Sequence, residues 1–314
     1  MRDVSAWITG LAALALFGAG AGSLAPETGV EAVAATMTGA RAPIAPPRRI
    51  VSLNLCVDQV LLDLVPRERI AGLSFLATDP SMSVLHREAR GIPAVSGSAE
   101  EVLNLDPDVI FAGEWTTPAT VDLLRRLGRN VVIVPMASNM AGIEEMVKVI
   151  AMASGEAERG AAMIAEFKER LAAIRVETER PGPRPTAVAM QVNSIASGPG
   201  SLVDDILTTA GFDNLAGRVA RGPTGRVSLE TLVATPPDVI VLANAASNYR
   251  TILADNLRHP AFRDLATTRP AVHIPMAEWL CGTPRIIDAV ARLASARQRL
   301  AATGTLGRDA GSFK

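Results

Sequence analysis

The sequence is poor in the residue types that most often form a catalytic or metal-binding site. It has two Cys, three His, three Trp and one Tyr in 314 residues. The histidines are scattered, and none lies at ligand spacing from a second His or a carboxylate, which argues against capture of a bare metal ion. A Gly-x-Ser-x-Gly motif, a glycine-rich phosphate loop and a credible Ser-His-acid set are all absent, so common enzyme patterns do not apply.

The sequence also lacks an excess of charge of one sign and a late membrane span. Lys and Arg together number 31, against 32 for Asp and Glu, so the chain has no electrostatic reason to bind nucleic acid. Beyond the first 21 residues, no apolar run approaches the length of about 20 residues that crosses a bilayer. These absences favour a soluble protein.

The N-terminal segment 1–34 has the composition of a secretory signal peptide. Arg2 precedes an uncharged run over 8–21, and short sites of small residues follow. No Cys follows the run, so a lipid anchor is not expected; a retained membrane anchor is the alternative, because Asp3 offsets the charge of Arg2. We predict a signal peptide over 1–34, a disordered leader over 35–47 and a periplasmic protein.

One phrase occurs twice in the chain. Glu100-Glu-Val-Leu-Asn-Leu-Asp-Pro-Asp-Val-Ile-Phe-Ala returns later as Glu230-Thr-Leu-Val-Ala-Thr-Pro-Pro-Asp-Val-Ile-Val-Leu. Each copy predicts a short helix, a Pro-Asp turn and a buried strand. Continuous apolar strands set among amphipathic helices indicate a parallel sheet that is covered on both faces. The chain is therefore predicted to consist of two similar α/β lobes.

The flanking patterns divide the chain into two lobes and a connecting segment. We predict lobes over 48–141 and 184–302, a helical spine over 142–180 and a tail over 303–314. Apolar residues at helical spacing run through the spine, whose long helix, from about 156 to 178, would measure about 35 Å. The predicted strands are 49–53, 70–74, 109–112 and 131–134 in the first lobe, and 186–192, 239–242 and 272–275 in the second.

The loops after these strands contain the candidate ligand-binding residues, because ligands of open α/β sheets bind at the carboxyl ends of the strands. The candidates are Asn54, Phe75, Trp115, Asn193, Tyr249, Arg250, Trp279 and Arg285. A lone Trp is more often a core residue, but three of the four Trp and Tyr residues fall in these loops, which favours a site for a large apolar ligand. Arg250 and Arg285 are candidates to pair with anionic groups of the ligand, or are solvated surface charges.

The order and spacing of several motifs together resemble a known family. The doubled phrase, the opening Arg49-Ile-Val-Ser-Leu, the Gly155-Glu helix start and the turn Ala210-Gly-Phe-Asp-Asn-Leu are similar to those of the periplasmic binding proteins of iron-siderophore and vitamin B12 ABC importers. The resemblance covers about residues 48–297. It implies two doubly wound α/β lobes bridged by a single long helix, as in class III periplasmic binding proteins, with a metal chelate in the cleft, no catalysis and no cofactor.

The resemblance also implies a partner. An acidic residue on each lobe of these proteins docks onto arginines of the membrane permease dimer, and Glu100 and Glu230 match those residues by position; Glu101 leaves an uncertainty of one residue. The chain is accordingly expected to be a monomer that carries a ferric siderophore, with cobalamin or haem as the alternative. His86 is a remote candidate for an axial ligand.

Two other classes of function remain open. A solute sensor could use the same two lobes and the same glutamates to contact a receptor. A two-lobed periplasmic hydrolase would need a carboxylate pair, and Glu114 and Glu278, each beside a Trp, come closest to one.

The only cysteines, Cys56 and Cys281, both fall near the predicted cleft. An exported protein with two cysteines usually pairs them, and we expect a disulfide that joins the lobes and limits their opening. The alternatives are two unpaired buried thiols, or thiolates that touch the ligand.

Overall fold

The computed structural model describes residues 45–179, 184–190, 195–219, 223–243 and 259–304. The predicted signal peptide and most of the predicted leader lie outside these ranges, as do Asn193, Tyr249 and Arg250. Within them, no helix combines the length and the apolar character that a membrane crossing requires.

The first lobe is a parallel sheet with helices on both faces. Its strands are β1 (Ile50–Ser52), β2 (Ile70–Ser74), β3 (Ala94–Val95), β4 (Val109–Gly113) and β5 (Val131–Val134), and its helices are α1 (Leu55–Leu64), α2 (Ala99–Asn104) and α3 (Pro118–Arg126). The strand order is β3-β2-β1-β4-β5, with every pair parallel. Ile50 and Phe111 pack in one hydrophobic cluster, and Val51 and Ile110 in another. This alternation shows that both faces of the sheet are covered.

Two helices follow the first sheet, α4 (Met140–Ser154) and α5 (Ala157–Thr178). They are separated by Gly155, whose φ of 75° lies in the left-handed region that favours glycine at a helix end. Helix α4 packs on α1, β4 and β5 and thus belongs to the first lobe. The 22 residues of α5 span about 33 Å, and α5 is the predicted bridging helix.

The second lobe contains six strands and six helices in the described residues. The strands are β6 (Thr186–Met190), β7 (Ile195–Ser197), β8 (Asp213–Asn214), β9 (Thr224–Arg226), β10 (Val239–Leu242) and β11 (Ala271–His273). The helices are α6 (Leu202–Thr209), α7 (Ala216–Val219), α8 (Leu229–Ala234), α9 (Pro260–Thr268), α10 (Met276–Trp279) and α11 (Ile287–Ala302), the last of which is preceded by a 3-10 turn, Pro284–Ile286.

The second sheet corrects the expectation of a purely parallel arrangement. Its order is β11-β10-β6-β7-β9, and β8 also pairs with β6. Strand β7 is antiparallel to both β6 and β9. The sequence gives little sign of either strand, because Thr224-Gly-Arg226 has no apolar run and Ile195-Ala-Ser197 is short.

The lobes share a continuous core through their helices. Leu61 of α1, Met146 of α4, Phe167 of α5, Phe212 before β8 and Leu293 of α11 belong to one buried cluster. Helix α5 contacts both α4 and α11, so the bridge is packed on each side. The predicted fold class, two α/β lobes joined by one long helix, is confirmed.

The last residues of the predicted leader contact the folded protein. Pro47 is buried, and its carbonyl accepts a hydrogen bond of 2.7 Å from Arg69 Nε. A Cβ added at Gly155 would lie only 3.0 Å from the Cα and Cβ atoms of Pro46, so these two residues are in close contact. These two residues of the predicted leader therefore pack at the junction of α4 and α5.

Candidate functional site

The edge of the first lobe at the carboxyl ends of its strands presents two exposed aromatic side chains. Phe75 follows β2 and is 57% exposed, and Trp115 follows β4 and is 86% exposed. The half-buried Asn54 follows β1, which lies between β2 and β4. Because neighbouring strands are about 4.8 Å apart, the two aromatic residues leave the sheet roughly 10 Å apart, on either side of Asn54.

Asn54 is held in place by the start of α1. Its Oδ1 accepts hydrogen bonds from the backbone N–H groups of Cys56 and Val57, at 2.9 and 3.2 Å, as a helix N-cap does. Its Nδ2 lies 3.8 Å from Met136 Sδ. A Cβ at Gly113 would lie 2.4 Å from the same Nδ2, so a larger residue there would displace the Asn54 side chain. The predicted ligand residue Asn54 therefore also has a structural role.

Trp115 is presented by a tight turn after β4. The N–H of Thr116 donates to the carbonyl of Gly113, and the N–H of Gly113 donates to Thr116 Oγ1, both at 3.0 Å. Glu114 and Trp115 occupy the two central positions of this turn, and both are exposed. The turn fixes the backbone under an aromatic ring that has little protein around it.

The floor beneath this edge contains the predicted disulfide. Cys56 and Cys281 are joined, with their Cα atoms 5.1 Å apart, and both are buried. Leu55, Leu76, Met82 and Met136 form a small apolar cluster around the bond. Since Cys56 begins the first helix of one lobe and Cys281 belongs to the other lobe, the bond crosses between them.

Gly282, the residue after Cys281, brings the two lobes into direct contact. A Cβ at Gly282 would lie 2.7 Å from the Cβ and 2.8 Å from the carbonyl oxygen of Ala137. No side chain fits there, so the chain of the second lobe passes directly over the first lobe beside the disulfide.

Arg285 is not part of this surface. Its guanidinium binds both oxygens of Asp63, with Nε 2.6 Å from Oδ2. Asp63 lies seven residues along α1 from Cys56, which is about 10 Å at 1.5 Å per residue. The pair lines a groove of about 450 Å³ beside α5. The charge of Arg285 is thus already paired on the side of α5, and its contact with the ligand stays a prediction.

Trp279 is buried, and Glu278 is bound to an arginine. Trp279 is 4% exposed and belongs to the main core cluster, so its ring packs inside the protein rather than on the cleft surface. Glu278 Oε1 accepts a hydrogen bond of 2.8 Å from Arg292 of α11. The hypothetical pair of Glu114 and Glu278 thus consists of one exposed carboxylate and one already bound to an arginine.

One buried carboxyl near the floor was missed by the sequence reasoning. Asp58 is fully buried on α1, and its Oδ2 accepts hydrogen bonds from Ser74 Oγ at 2.5 Å and Ser74 N at 3.2 Å. Burial raises the pKa of Asp58 to about 7, although the hydrogen bonds from Ser52 and Ser74 lower it. A polar residue within the apolar pattern Leu55-Cys-Val-Asp-Gln-Val was the available signal.

Glu100 and Glu230 occupy the same position in their helices. Ser98 caps α2 through a hydrogen bond from the N–H of Glu101, and Ser228 caps α8 through one from the N–H of Thr231, both at 3.2 Å. Each glutamate is the second residue after its capping serine, and both are exposed. The hydrogen bond with Ser228 is the largest cause of a lowered pKa of Glu230.

Glu101 has a different environment from Glu100. Its carboxylate accepts hydrogen bonds from the N–H and the hydroxyl of Ser96, at 2.7 and 2.8 Å, and the hydroxyl bond is the largest cause of its lowered pKa. The capping positions therefore match Glu100, not Glu101, to Glu230.

Helices α2 and α8 each start at the carboxyl-end edge of their sheet. Strand β3 is parallel to β2 and leads into α2. Strand β9 leads into α8 and, being antiparallel to β7, runs in the same direction as β6. Glu100 and Glu230 thus lie at the carboxyl-end edges of the two sheets.

The described residues contain no group of three or more His, Cys, Asp and Glu side chains that could hold a metal ion. His86 is half-buried, with its Nδ1 3.1 Å from the carbonyl oxygen of Ser83.

Comparison with known proteins places the chain in one family. A family profile described as "Periplasmic binding protein" matches residues 50–270. Two curated relatives, both named cobalamin-binding protein and both from strains of Halobacterium salinarum, are 26% identical over 263 residues, which is 80% of this chain and 69% of each relative.

Several solved structures have a similar fold. The periplasmic heme-binding protein RhuT of Roseiflexus sp. RS-1 matches with a TM-score of 0.69 at 23% identity, over 79% of this chain and 97% of that chain. The vitamin B12 binding protein BtuF of Vibrio cholerae matches with 0.62 at 18% identity, over 81% and 98%. A protein of an Fe3+-hydroxamate transport system from Saccharomonospora viridis matches with 0.58 at 20% identity, over 81% and 94%.

Proposed function

Because the chain belongs to the periplasmic binding protein family, we propose that it is the solute-binding component of an ABC importer. It binds a metal chelate between its lobes and delivers it to a membrane permease. The observation that carries the proposal is the matched pair Glu100 and Glu230. Each is an exposed carboxylate at the carboxyl-end edge of the sheet in its lobe.

The ligand is a metal complex that brings its own donor atoms. Two exposed aromatic side chains above an apolar floor suit a large flat or globular complex better than a bare ion. The names of the similar proteins supply three candidates: cobalamin, haem and a ferric hydroxamate. We retain the ferric siderophore predicted from the sequence beside cobalamin, which the curated relatives favour.

The predicted signal peptide over 1–34 and the family support a periplasmic location. A binding protein that meets its permease there must be recognised by charge and shape. Two carboxylates that are held apart on one packed body define both position and orientation on a two-fold partner. We assign this docking role to Glu100 and Glu230.

The first experiment measures binding and chemistry together. The purified protein is titrated with cyanocobalamin, haem and ferric hydroxamates, and Trp fluorescence is recorded. We expect saturation at one ligand per chain and recovery of the ligand unchanged. A protein that converts any of these ligands into a product would contradict the proposal and favour an enzyme.

The second experiment measures uptake in cells that contain the cognate permease. We expect Glu100→Ala combined with Glu230→Ala to lower uptake by about tenfold or more, which corresponds to about 1.4 kcal/mol, without a change in ligand affinity. Glu101→Ala tests the choice between neighbours, and Glu169→Ala on the exposed face of α5 is the matched control. Normal uptake by the double variant would exclude the docking role, and normal ligand binding without any uptake in the unaltered protein would favour a sensor.

A further inference from the structure

The carboxyl-end edge of the first lobe has carboxylates close in sequence to its exposed aromatic residues. Asp79 ends the segment 75–79 that begins with Phe75, and Glu114 precedes Trp115 in the turn after β4. Residues 80–93, the rest of the loop between β2 and β3, also include one His and two Arg, further along the chain from both rings. A ligand that lies against the indole ring of Trp115 thus meets the carboxylate of Glu114 first.

Glu114 is the carboxylate nearest in sequence to the exposed ring. It shares with Trp115 the two central positions of the turn that Gly113 and Thr116 close with two hydrogen bonds of 3.0 Å. The backbone beneath both side chains is therefore fixed, and a ligand that stacks on the indole ring comes within reach of the carboxylate. No hydrogen bond or ion pair of Glu114 occurs among those described.

The second lobe has a described cation, Arg226, at the carboxyl-end edge of its sheet, but on the outermost strand. Arg226 ends β9, the outermost strand of the sheet order β11-β10-β6-β7-β9. Arg285 and Arg292, nearer the lobe contact, are paired with Asp63 and Glu278. Within the parts of both lobes that the structure describes, Glu114 is the charged residue that shares a turn with the exposed ring of Trp115.

From this arrangement we propose that Glu114 is a specificity-determining residue, which makes the cleft select neutral or cationic metal complexes over anionic ones. The inference rests on the proposed function. A carboxylate beside the stacking surface repels an anionic complex, since like charges brought together across an interface are costly. A cationic complex gains attraction from both the carboxylate and the faces of the aromatic rings, and a neutral one is unaffected.

The test uses pairs of ligands that differ in charge alone. One pair is cyanocobalamin and its monocarboxylate derivative, and the other is ferrioxamine B, a cation, and its N-succinyl derivative, an anion. Affinities are measured by calorimetry, which does not depend on Trp115 as a reporter. We expect the anionic member of the pair that binds to be weaker by about threefold to tenfold, as for charges separated by several ångströms at a protein surface.

Variants identify the residue responsible. Glu114→Gln should bring the two members of a pair to within about twofold, and Glu114→Lys should reverse the preference; both effects should shrink as salt screens exposed charges. Asp122→Asn, at an exposed carboxylate on α3, is the control that should leave the preference unchanged.

The outcomes separate this inference from the proposed function. Tight 1:1 binding with no preference, or a preference that Glu114→Gln leaves intact, would overturn the role of Glu114 while the binding function stands. Failure of every ligand to bind would overturn both.

Discussion

The two copies of the repeated helix–turn–strand unit hold their lobes together through the same contact. Asp108 Oδ2 accepts hydrogen bonds from the N–H groups of Arg48 and Arg49, at 2.7 and 2.9 Å. Asp238 Oδ2 accepts them from the N–H and hydroxyl of Thr186, also at 2.7 and 2.9 Å. In each lobe the aspartate of the Pro-Asp turn thus fixes the start of the central strand, β1 or β6. The Asp of each repeat thus has a structural role at the start of the central strand. The exposed Glu of each repeat has no described hydrogen bond to that strand.

The turn before this aspartate differs between the copies. Asp106 has φ of 40°, in the left-handed region, and its N–H donates to the carbonyl of Leu103 at 3.0 Å. The corresponding residue in the second copy is Pro236, whose ring restricts φ to about −65°. The two turns therefore reach the same Pro-Asp step by different backbone routes.

The first helices of the lobes make a second comparison. Asn54 and Ser201 cap α1 and α6, and the fourth helical residue is an aspartate in both. Asp58 is buried against Ser74 inside its own lobe, whereas Asp205 Oδ2 accepts a hydrogen bond of 2.6 Å from the N–H of Met140, where α4 begins. One carboxyl stabilises a lobe and the other ties a lobe to the helices between them.

Replacement of Asp106 by proline, the residue at the matching position of the second copy, should have the largest effect on stability. Asp106→Pro cannot adopt φ of 40°, loses the hydrogen bond to Leu103 and disfavours the helical backbone of Leu105. We expect the free energy of unfolding to fall by about 3 kcal/mol, measured by urea denaturation. Asp106→Ala controls for loss of the ion pair with Arg129; equal effects of the two substitutions would show that the turn geometry is unimportant.

Asp58 should make the stability of the protein depend on pH. The raised pKa of Asp58, about 7, means that the folded state binds more protons than the unfolded state above about pH 4. Stability from this group is thus present at low pH and is lost as the pH rises through 7, by about 2.5 kcal/mol between about pH 5 and about pH 8. Asp58→Asn should remove this slope in denaturation curves, whereas Asp205→Asn should retain it. A slope that survives in Asp58→Asn would contradict the assignment.

The paired aspartates of the repeat provide the smallest effects and the closest match. Asp238 is half-buried and Asp108 is exposed, so Asp238→Ala should lower the free energy of unfolding by about 2 kcal/mol and Asp108→Ala by about 1 kcal/mol. Thermal unfolding of both variants, with the corresponding Asn substitutions as controls, measures the difference. If Asp108→Ala costs more, solvent exposure does not determine the strength of these contacts.

The parts of the fold that have periodic sequence signals could be predicted. Buried runs such as Val109–Gly113 and the long apolar face of α5 identify themselves, because their side chains repeat with the period of the element. Strands β7 and β9 could not be predicted, since they are short and paired at the side of the sheet, where tertiary contacts decide the structure.

The candidate site divides in the same way. The aromatic residues that follow strands could be found from their positions in the predicted loops. Glu100 could be matched to Glu230 from its spacing to the Pro-Asp step. The burial of Trp279 and the pairing of Arg285 with Asp63 could not, because each depends on a partner that is distant in the chain. The sequence alone does not show which distant residue forms an ion pair with a charged residue near a predicted cleft.

The two contacts along α1 have a mechanical consequence. The Cys56–Cys281 bond and the Asp63–Arg285 pair attach the second lobe to one helix at two points about 10 Å apart. A rigid body that is fixed at two points can turn only about the line that joins them, and here that line runs along α1. Hinge rotation across the helix would require one of the two attachments to break. Reduction of the disulfide alone would leave the ion pair and the shared helical core as the attachments that resist this rotation.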